Sequence, residues 1–459
     1  MDKYTMTIND KKTMAFAGLI ITAFITMLLI CGAGVYGYAI AGQFDNVMQV
    51  GMIFTLESVA RCAMIPLAGK LGDKVGRKKL FLSALVLYIV SYAVGAFSTN
   101  FRTFVIARMI SGFSWGLFIT NIFVLVADIF GKDEGPKFAG YLQSFSTAAL
   151  IVGAPFAGIV CSVSWRLEFY ITLPVLAAAF ILCAIGLPSV PKFSEAKPMD
   201  TGGALCTLIF VVPFSLAMSW GGAYGWSSTI IIALFGAAGA GITGLILFER
   251  KAKEPIFPVR LLKNKFYVSI FIINFFYSVA NASANYVPTF VQHSLNFNSS
   301  IAGIIALPGF LIAIVLTILF GRHAANTGRY KGMTMVWAFA TIAAGIVFLF
   351  LGAAATEAHV IALLILVAGV TPLVAVNGAQ QIVPYTYPMN VLKSEELAAG
   401  MAFMSFGGTF GNTFANGICG ALMAAPDGIL RIFMAPVFAG SIMVLCALLF
   451  KDIKQGETI

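Results

Sequence analysis

The sequence predicts a polytopic α-helical membrane protein, and three observations carry that prediction. Of 459 residues, 59% are apolar and only 10% are charged, against roughly a quarter charged in an ordinary soluble domain. Fourteen apolar runs are long enough, at about 20 residues each, to cross the hydrocarbon core as helices. When these runs are threaded alternately, the basic residues between them fall almost entirely on one side. Folding leaves a large accessible surface at any size, so no soluble core buries this much apolar area. A soluble enzyme, a disordered chain and a fibre are excluded together.

The expected spans run over 14–38, 47–69, 79–98, 102–128, 137–162, 168–187, 202–219, 228–248, 266–290, 300–320, 332–352, 359–381, 397–423 and 429–450. The first follows a mostly polar stretch of 13 residues and is too long for the apolar region of a signal peptide. The second and third flank a glycine- and lysine-rich loop from Gly69 to Lys79. The fourth begins at Arg102, and Lys132 and Lys137 separate it from the fifth. The sixth follows Trp165-Arg166, and Lys192 and Lys197 precede the seventh. Six basic residues lie after the eighth, between Arg250 and Lys265. Arg322, Arg329 and Lys331 separate the tenth from the eleventh, and Lys393 the twelfth from the thirteenth. With the N-terminus inside, inner segments hold 24 of the 29 Lys and Arg. Outer loops hold Arg102, Arg166 and Arg431, and Arg61 and Arg108 lie within spans. This bias supports both the count and an orientation with both termini cytoplasmic.

The net charge of +10 is therefore a membrane-topology signal and not one for nucleic acid. No expected loop exceeds 20 residues, which leaves no room for a catalytic or nucleotide-binding domain outside the membrane. No GxxxxGK[ST] phosphate loop is present. The seven cysteines lie in or beside apolar runs without metal spacing and read as reduced. His293, His323 and His359 lie at or near loops, and none reads as a metal ligand. No cofactor is expected.

An internal repeat organises the spans. The loop after span 2 reads Gly69-Lys-Leu-Gly-Asp73-Lys-Val-Gly76-Arg77, and the loop after span 10 reads Gly321-Arg-His-Ala-Ala325-Asn-Thr-Gly328-Arg329. Glycine recurs at an offset of seven before arginine each time. Internal repeats mark secondary transporters. If the loops are equivalent, spans 1–6 and 9–14 are two six-helix halves and spans 7 and 8 are an insert. The divisions fall at 1–190, 191–265 and 266–459. Chance recurrence of a Gly-Arg turn is the other reading.

These residues resemble the major facilitator superfamily across essentially the whole chain. Gly69 through Lys79 is similar to its loop-2/3 signature, and Arg108-Met-Ile-Ser-Gly112 to its helix-4 motif. Trp165-Arg166 with Phe169 and Pro174, and the stretch holding Gly225-Trp226, Phe248-Glu249-Arg250, Pro255 and Pro258, resemble the fourteen-helix drug/proton antiporters. The resemblance implies an all-α major facilitator fold: two six-helix bundles plus two extra transmembrane helices. It also implies a plasma-membrane location in a bacterium. Two departures stand out. Span 1 reads Cys31-Gly-Ala-Gly-Val-Tyr36-Gly-Tyr38, without the usual acid, and the helix-5 antiporter motif is only partly kept as Gly153-Ala154-Pro155-Phe-Ala-Gly158.

A charge at the membrane centre costs at least ~2.5–3.5 kcal/mol on insertion scales, so it marks a pathway or a pair. Of the 19 acids, Glu57 alone reads as mid-span, with Arg61 one turn later on the same face. The pair either carries a proton as access alternates or is a permanently satisfied packing element. Arg108, inside span 4, either meets an anionic substrate or carboxyl, or answers backbone carbonyls at a helix break. In the resembled family this arginine is associated with proton coupling. Gly69, Asp73, Gly76, Arg77 and Asp128 cluster at the inner ends of spans 2–4 and read as a gating latch, or as a solvated loop. Neutral stripes read as a substrate cavity or as interhelical glue. They comprise Asn274, Tyr277, Asn281 and Asn285 on span 9, Asn377 and Gln381 on span 12, Ser405, Thr409, Asn412 and Asn416 on span 13, and Gln143 on span 5. Tyr36 joins the expected cavity. Gly153, Pro155 and Gly158 read as a hinge.

The leading expectation is proton-coupled export of amphiphilic small molecules by a chain acting as a monomer in the lipid bilayer. Glu57 and the neutral stripes favour it. Proton-coupled uptake or exchange of an organic anion competes, favoured by Arg61, Arg108 and the missing acid of span 1. A non-transporting sensor is disfavoured by the intact loop motif. An intramembrane enzyme is disfavoured because no catalytic or metal constellation lies within the spans.

Overall fold

The computed structural model describes residues 8–44, 50–188, 201–251, 264–327, 329–354, 367, 369–372, 394–423 and 428–449. Among them the chain is helical and contains no strand. The first six helices are α1 (Ile8–Gln43), α2 (Val50–Val75), α3 (Arg77–Ala96), α4 (Phe101–Cys161), α5 (Trp165–Gly186) and α6 (Thr201–Tyr224). Then come α7 (Thr229–Lys251), α8 (Lys265–Ala282), a 3-10 turn (Ser283–Tyr286), α9 (Val287–His293) and α10 (Ser299–Ile304). The last are α11 (Leu307–Thr327), α12 (Lys331–Ala354), α13 (Ser394–Met423), α14 (Gly428–Arg431) and α15 (Met434–Leu449). Side-chain caps start four of these helices: Asn100 for α4, Ser164 for α5, Asn264 for α8 and Asn298 for α10.

Eight described segments are long and apolar enough to cross a membrane, and Gly202–Met218, Ser299–Ala313 and Met434–Leu449 are shorter apolar helices. Helices α2 and α13 stand where spans 2 and 13 are expected. Most of the expected span 359–381, with Asn377 and Gln381, lies outside the described residues. The count of fourteen therefore rests on the sequence.

Two expected boundaries change. Helix α4 runs unbroken for 61 residues over expected spans 4 and 5. At 1.5 Å per residue a straight helix of that length would measure about 90 Å, three times the hydrocarbon core. The two arms are separate passes, Phe101–Phe130 and Ser144–Cys161. The first arm follows α2: Gly112 lies on Glu57, Gly116 on Arg61, and Asn121 donates to the Ala68 carbonyl at 3.3 Å. The second arm follows α1, with Phe138 against Phe16 and Gly153 against Leu28.

Span 9 is the second change. It is interrupted at Ser283–Tyr286, just before Pro288. Proline has no N–H and clashes with the carbonyl four residues back, so the helix tightens before it. A turn at Ile305–Ala306 interrupts the next span before Pro308 in the same way.

Helix α1 packs on α4 and α5, and α3 on α4 and α5. Later in the chain α8 packs on α13 and α15, and α12 on α15. Three close contacts join these two groups, all at one end. Gly51 of α2 meets Gly420 of α13 backbone to backbone. Gly158 of α4 meets Gly303 of α10, where a Cβ would lie 3.1 Å from the Gly303 Cα, and Ser299 donates to the Gly158 carbonyl at 3.2 Å. Gly34 of α1 meets the Asn285 carbonyl, and Tyr38 lies 6.2 Å from the His293 ring. Only residues without a Cβ allow backbones this close, the usual basis of helix association in lipid.

Gly51→Val should force this end apart. Spin labels at positions 38 and 293 should report a longer mean distance than in the unsubstituted chain. An unchanged distance distribution would show that the glycine contacts do not hold the end shut.

Candidate functional site

The first arm of α4 crosses α2 at glycines, and this places the charges. A Cβ on Gly112 would strike the Glu57 backbone, and one on Gly116 would lie 2.7 Å from the Arg61 carbonyl. With the helices this close, Arg108, one turn before Gly112, reaches across to α2. Its Nη2 lies 2.5 Å from Glu57 Oε2, while Arg61 Nη2 lies 2.8 Å from Glu57 Oε1. The expected α2 pair is thus a triad with one carboxylate between two guanidiniums. Arg108 is 1% exposed and Glu57 5%.

Aromatic rings complete the enclosure. Arg108 Nη1 donates to the Tyr92 hydroxyl, which accepts a second bond from Tyr88 at 3.0 Å. The Arg108 Cζ lies 5.0 Å from the Tyr92 ring and 5.6 Å from the Tyr36 ring, and the Arg61 Cζ lies 4.8 Å from the Trp115 ring. These rings offer their negative faces to the cations at the helix interface. The Nε of each arginine has no hydrogen-bond partner.

Beside the triad lies a cavity of about 370 Å³, whose walls come from both groups of helices. Glu57, Arg61 and Trp115 line one side, and Asn274, Asn281, Asn285 and Asn412 line the other. Met27, Phe54 and Phe310 supply apolar surface. Residues of the neutral stripes both line this cavity and hydrogen-bond between helices. Asn274 lines the cavity and donates to the Met404 carbonyl at 2.8 Å. Asn416 also lines it, and donates to Asn412 at 2.9 Å and to Ser58 across the α2–α13 contact at 3.1 Å.

Two expected cavity residues stand elsewhere. Tyr36 is fully buried in the Arg108 cluster, its hydroxyl 3.3 Å from the Leu29 carbonyl. Tyr277 is buried with an unpartnered hydroxyl and is not on the cavity wall, where Ser278 stands instead. A helical stripe spaced 3, 4 and 4 is wider than one wall, so a neighbouring position can take the cavity side. Gly153, Pro155 and Gly158, expected as a hinge, lie within continuous α4, where the two glycines are points of close packing. The side chain of Gln143 is outside the described residues.

At the other end of the first group, Arg77 Nη1 lies 2.8 Å and 3.1 Å from the two Asp128 oxygens. Gly76 between α2 and α3 has φ 102°, the left-handed region that glycine enters freely. Gly69 and Asp73 fall on the last turns of α2, and their side chains lie outside the described residues. The second loop copy is only partly covered: Gly321 falls on α11, and Gly328 lies outside the described residues.

Sequence reasoning missed Tyr92, Trp115 and Glu168. The polar aromatic pair Tyr88 and Tyr92, four residues apart on span 3, is a signal that was available. Glu168 is the first residue of the expected span 168–187, but α5 begins at Trp165 and Glu168 is fully buried.

Arg108→Ala leaves Glu57 with one partner. Breaking a buried pair from one side costs about 3–5 kcal/mol, so Tm in detergent should fall sharply. The double variant Arg108→Ala/Glu57→Gln should recover part of that loss, because it removes both charges. Additive losses would show that the two groups are not coupled.

The family model described as Major Facilitator Superfamily matches residues 14–416. The chain is 30% identical over 323 residues to "Multidrug transporter protein MdtP" of Bacillus subtilis, a match covering 70% of this chain and 60% of that protein. It is 26% identical over 412 residues to "Efflux pump mlcE" of Penicillium citrinum, covering 83% of this chain and 72% of that one. The match to the first of these thus spans under two thirds of the relative's length. Among solved structures, a peptide transporter, POT, in complex with sulfate superposes with a TM-score of 0.66 at 15% identity. That superposition covers 96% of each chain, which shows a shared fold. With the family model matching most of its length, this chain belongs to the Major Facilitator Superfamily.

Proposed function

We propose that the chain is a secondary active transporter that exports amphiphilic small molecules against inward proton flow, by alternating access to the central cavity. One observation carries this reading: the Glu57 carboxylate lines the cavity while holding two guanidiniums, Arg108 buried and Arg61 half-buried. A proton or a cationic substrate arriving at Glu57 competes with Arg61 and Arg108 for the same oxygens. Occupancy of the cavity is thereby tied to the packing of α2 against α4. The cavity volume suits a drug-sized molecule, and its mix of methionine, aromatic and amide side chains suits one with apolar and polar faces. The similarity to a multidrug transporter and an efflux pump supports the same substrate class.

In this reading the cytoplasm holds both termini, the membrane is a bacterial plasma membrane and a monomer suffices. The glycine-closed end then faces outward. The Arg77–Asp128 pair belongs to the inner gate, and the two groups of helices rock about the cavity. Uptake or exchange of an organic anion is the second reading. It is favoured by Arg61 and its Trp115 platform on the cavity wall, which fit a carboxylate.

The deciding measurement uses proteoliposomes with an imposed pH gradient and a trapped pH dye. Lipophilic cations should release protons, and Glu57→Gln should abolish that release while the protein remains folded in the membrane. A response only to organic anions, lost in Arg61→Ala, would replace export with the second reading. Asp128→Asn should lower turnover several-fold with little change in the KM for substrate. A change confined to KM would remove the pair from the gate.

A further inference from the structure

The central cavity has two walls of different chemistry, and they follow the two seams along which the groups of helices meet. One seam joins α2 to α13, through Gly51 against Gly420 and Ser58 against Asn416. From it Glu57, Ser58 and Arg61 of α2 and Thr409, Asn412 and Asn416 of α13 line the cavity. Phe54 is the one large apolar side chain among the described lining residues of these two helices. Helix α8 packs on α13 and extends this wall with the amides of Asn274 and Asn281.

The other seam joins the second arm of α4 to α10, through Gly158 against Gly303. From it Leu150 and Ala154 of α4, Ala302 of α10, the turn at Ile305–Ala306 and Phe310 of α11 line the cavity. Ser146 is the polar exception, and its hydroxyl is engaged within its own helix, donating to the Leu142 carbonyl at 3.0 Å. Helix α1 packs on the same arm, with Leu28 against Gly153, and extends this wall with Met27 and Ile30. Among the described residues that line the cavity, Glu57 is the one acid and Arg61 the one base, and both stand on the first wall.

An apolar body laid on the first wall strips water from polar groups and gives them no partner in return. A charged head laid on the second wall is buried unpaired, which is costlier still. We propose that the cavity selects amphiphiles with a single polar head and holds them in one orientation, the head on the α2–α13 wall beside Glu57 and Arg61 and the apolar body on the wall of Leu150 and Phe310. A head of either sign finds its partner on the same wall, a cation at Glu57 and an anion at Arg61. A molecule charged at both ends is rejected, because its second charge meets a wall that offers no partner. The inference narrows the substrate class of the amphiphile reading above and rests on it, but not on the direction of transport or on proton coupling.

Photolabelling of the purified full-length protein tests the orientation without any substitution. The probes are decyltrimethylammonium and decanoate, each carrying a diazirine at the far end of its chain, with the unlabelled compound as competitor. Competed adducts should map to the second arm of α4 and to α10–α11. Competed adducts on α2 or α13, or an even spread over both walls, would overturn the orientation. Equilibrium binding tests the selection for one head. Decamethonium, with a trimethylammonium at each end of the same decyl chain, should bind at least about ten-fold more weakly than decyltrimethylammonium. Its lower partition into any apolar site favours the same order, so the deciding quantity is the change of that ratio when the second wall gains an acid. Leu150→Glu should narrow the ratio, and Phe310→Glu, on the neighbouring helix, should do the same where Leu150→Glu does not fold. A ratio unchanged in a folded variant would overturn the selection. If neither probe gives competed adducts in the cavity, the amphiphile reading fails and this proposal falls with it. Competed labelling spread over both walls would instead leave that reading standing and remove the orientation alone.

Discussion

One carboxylate shared by two guanidiniums governs the first group of helices. Charges leave water at high cost, and a low-dielectric interior returns that cost only when the geometry of the pair is good. Glu57 meets the condition with an oxygen for each arginine. Tyr92 takes up another Arg108 donor, and Trp115 lies under the Arg61 cation. Each helix that supplies a partner is thereby fixed in rotation: α2 by Glu57 and Arg61, α4 by Arg108, α3 by Tyr92. A substrate or proton that disturbs the carboxylate disturbs all three helices.

The joint between the two groups is built on a different principle. It is small and nearly uncharged. Gly51 against Gly420, Gly158 against Gly303 and Gly34 against Asn285 bring backbones together, with hydroxyl and amide bonds such as Thr413 to the Ser58 carbonyl at 3.1 Å beside them. Contacts of this kind are short-range and have no deep charge well, so they separate and re-form at modest cost. An ion-pair lock inside one group and a glycine seam between groups suit a machine whose halves move as bodies.

Helices α6 and α7 add a third element. Helix α6 packs on both α2 and α13, so it bridges the seam, and Phe210 and Phe214 lie against Phe410 of α13. Helix α7 packs mainly on α6 and exposes large apolar side chains such as Ile232 and Leu247. The pair is thus a hydrophobic brace beside that joint, with one helix inside and one more exposed.

Apolar run length and loop charge determined a great deal from sequence alone. They gave the helical membrane class, most element positions, the α2 charge pair, the tight turn at Gly76 and the opposite charges of Arg77 and Asp128 at one end. These are local or composition-driven properties, fixed by a 20-residue membrane thickness, an i, i+4 spacing or a glycine at positive φ. What only the tertiary structure decided depends on which helices lie side by side. Arg108 and Glu57 are 51 residues apart and meet because Gly112 lets α4 lie on α2. Tyr36 and Tyr277 turned away from the cavity because a helix face is broad and its neighbours choose which part is wet. The expected span starts only at Glu168 because hydropathy fades at Trp165-Arg166, yet Gly32 and Ala157 close over that residue from two other helices. Burial of a single side chain is set by its neighbours, and a one-dimensional pattern does not contain them.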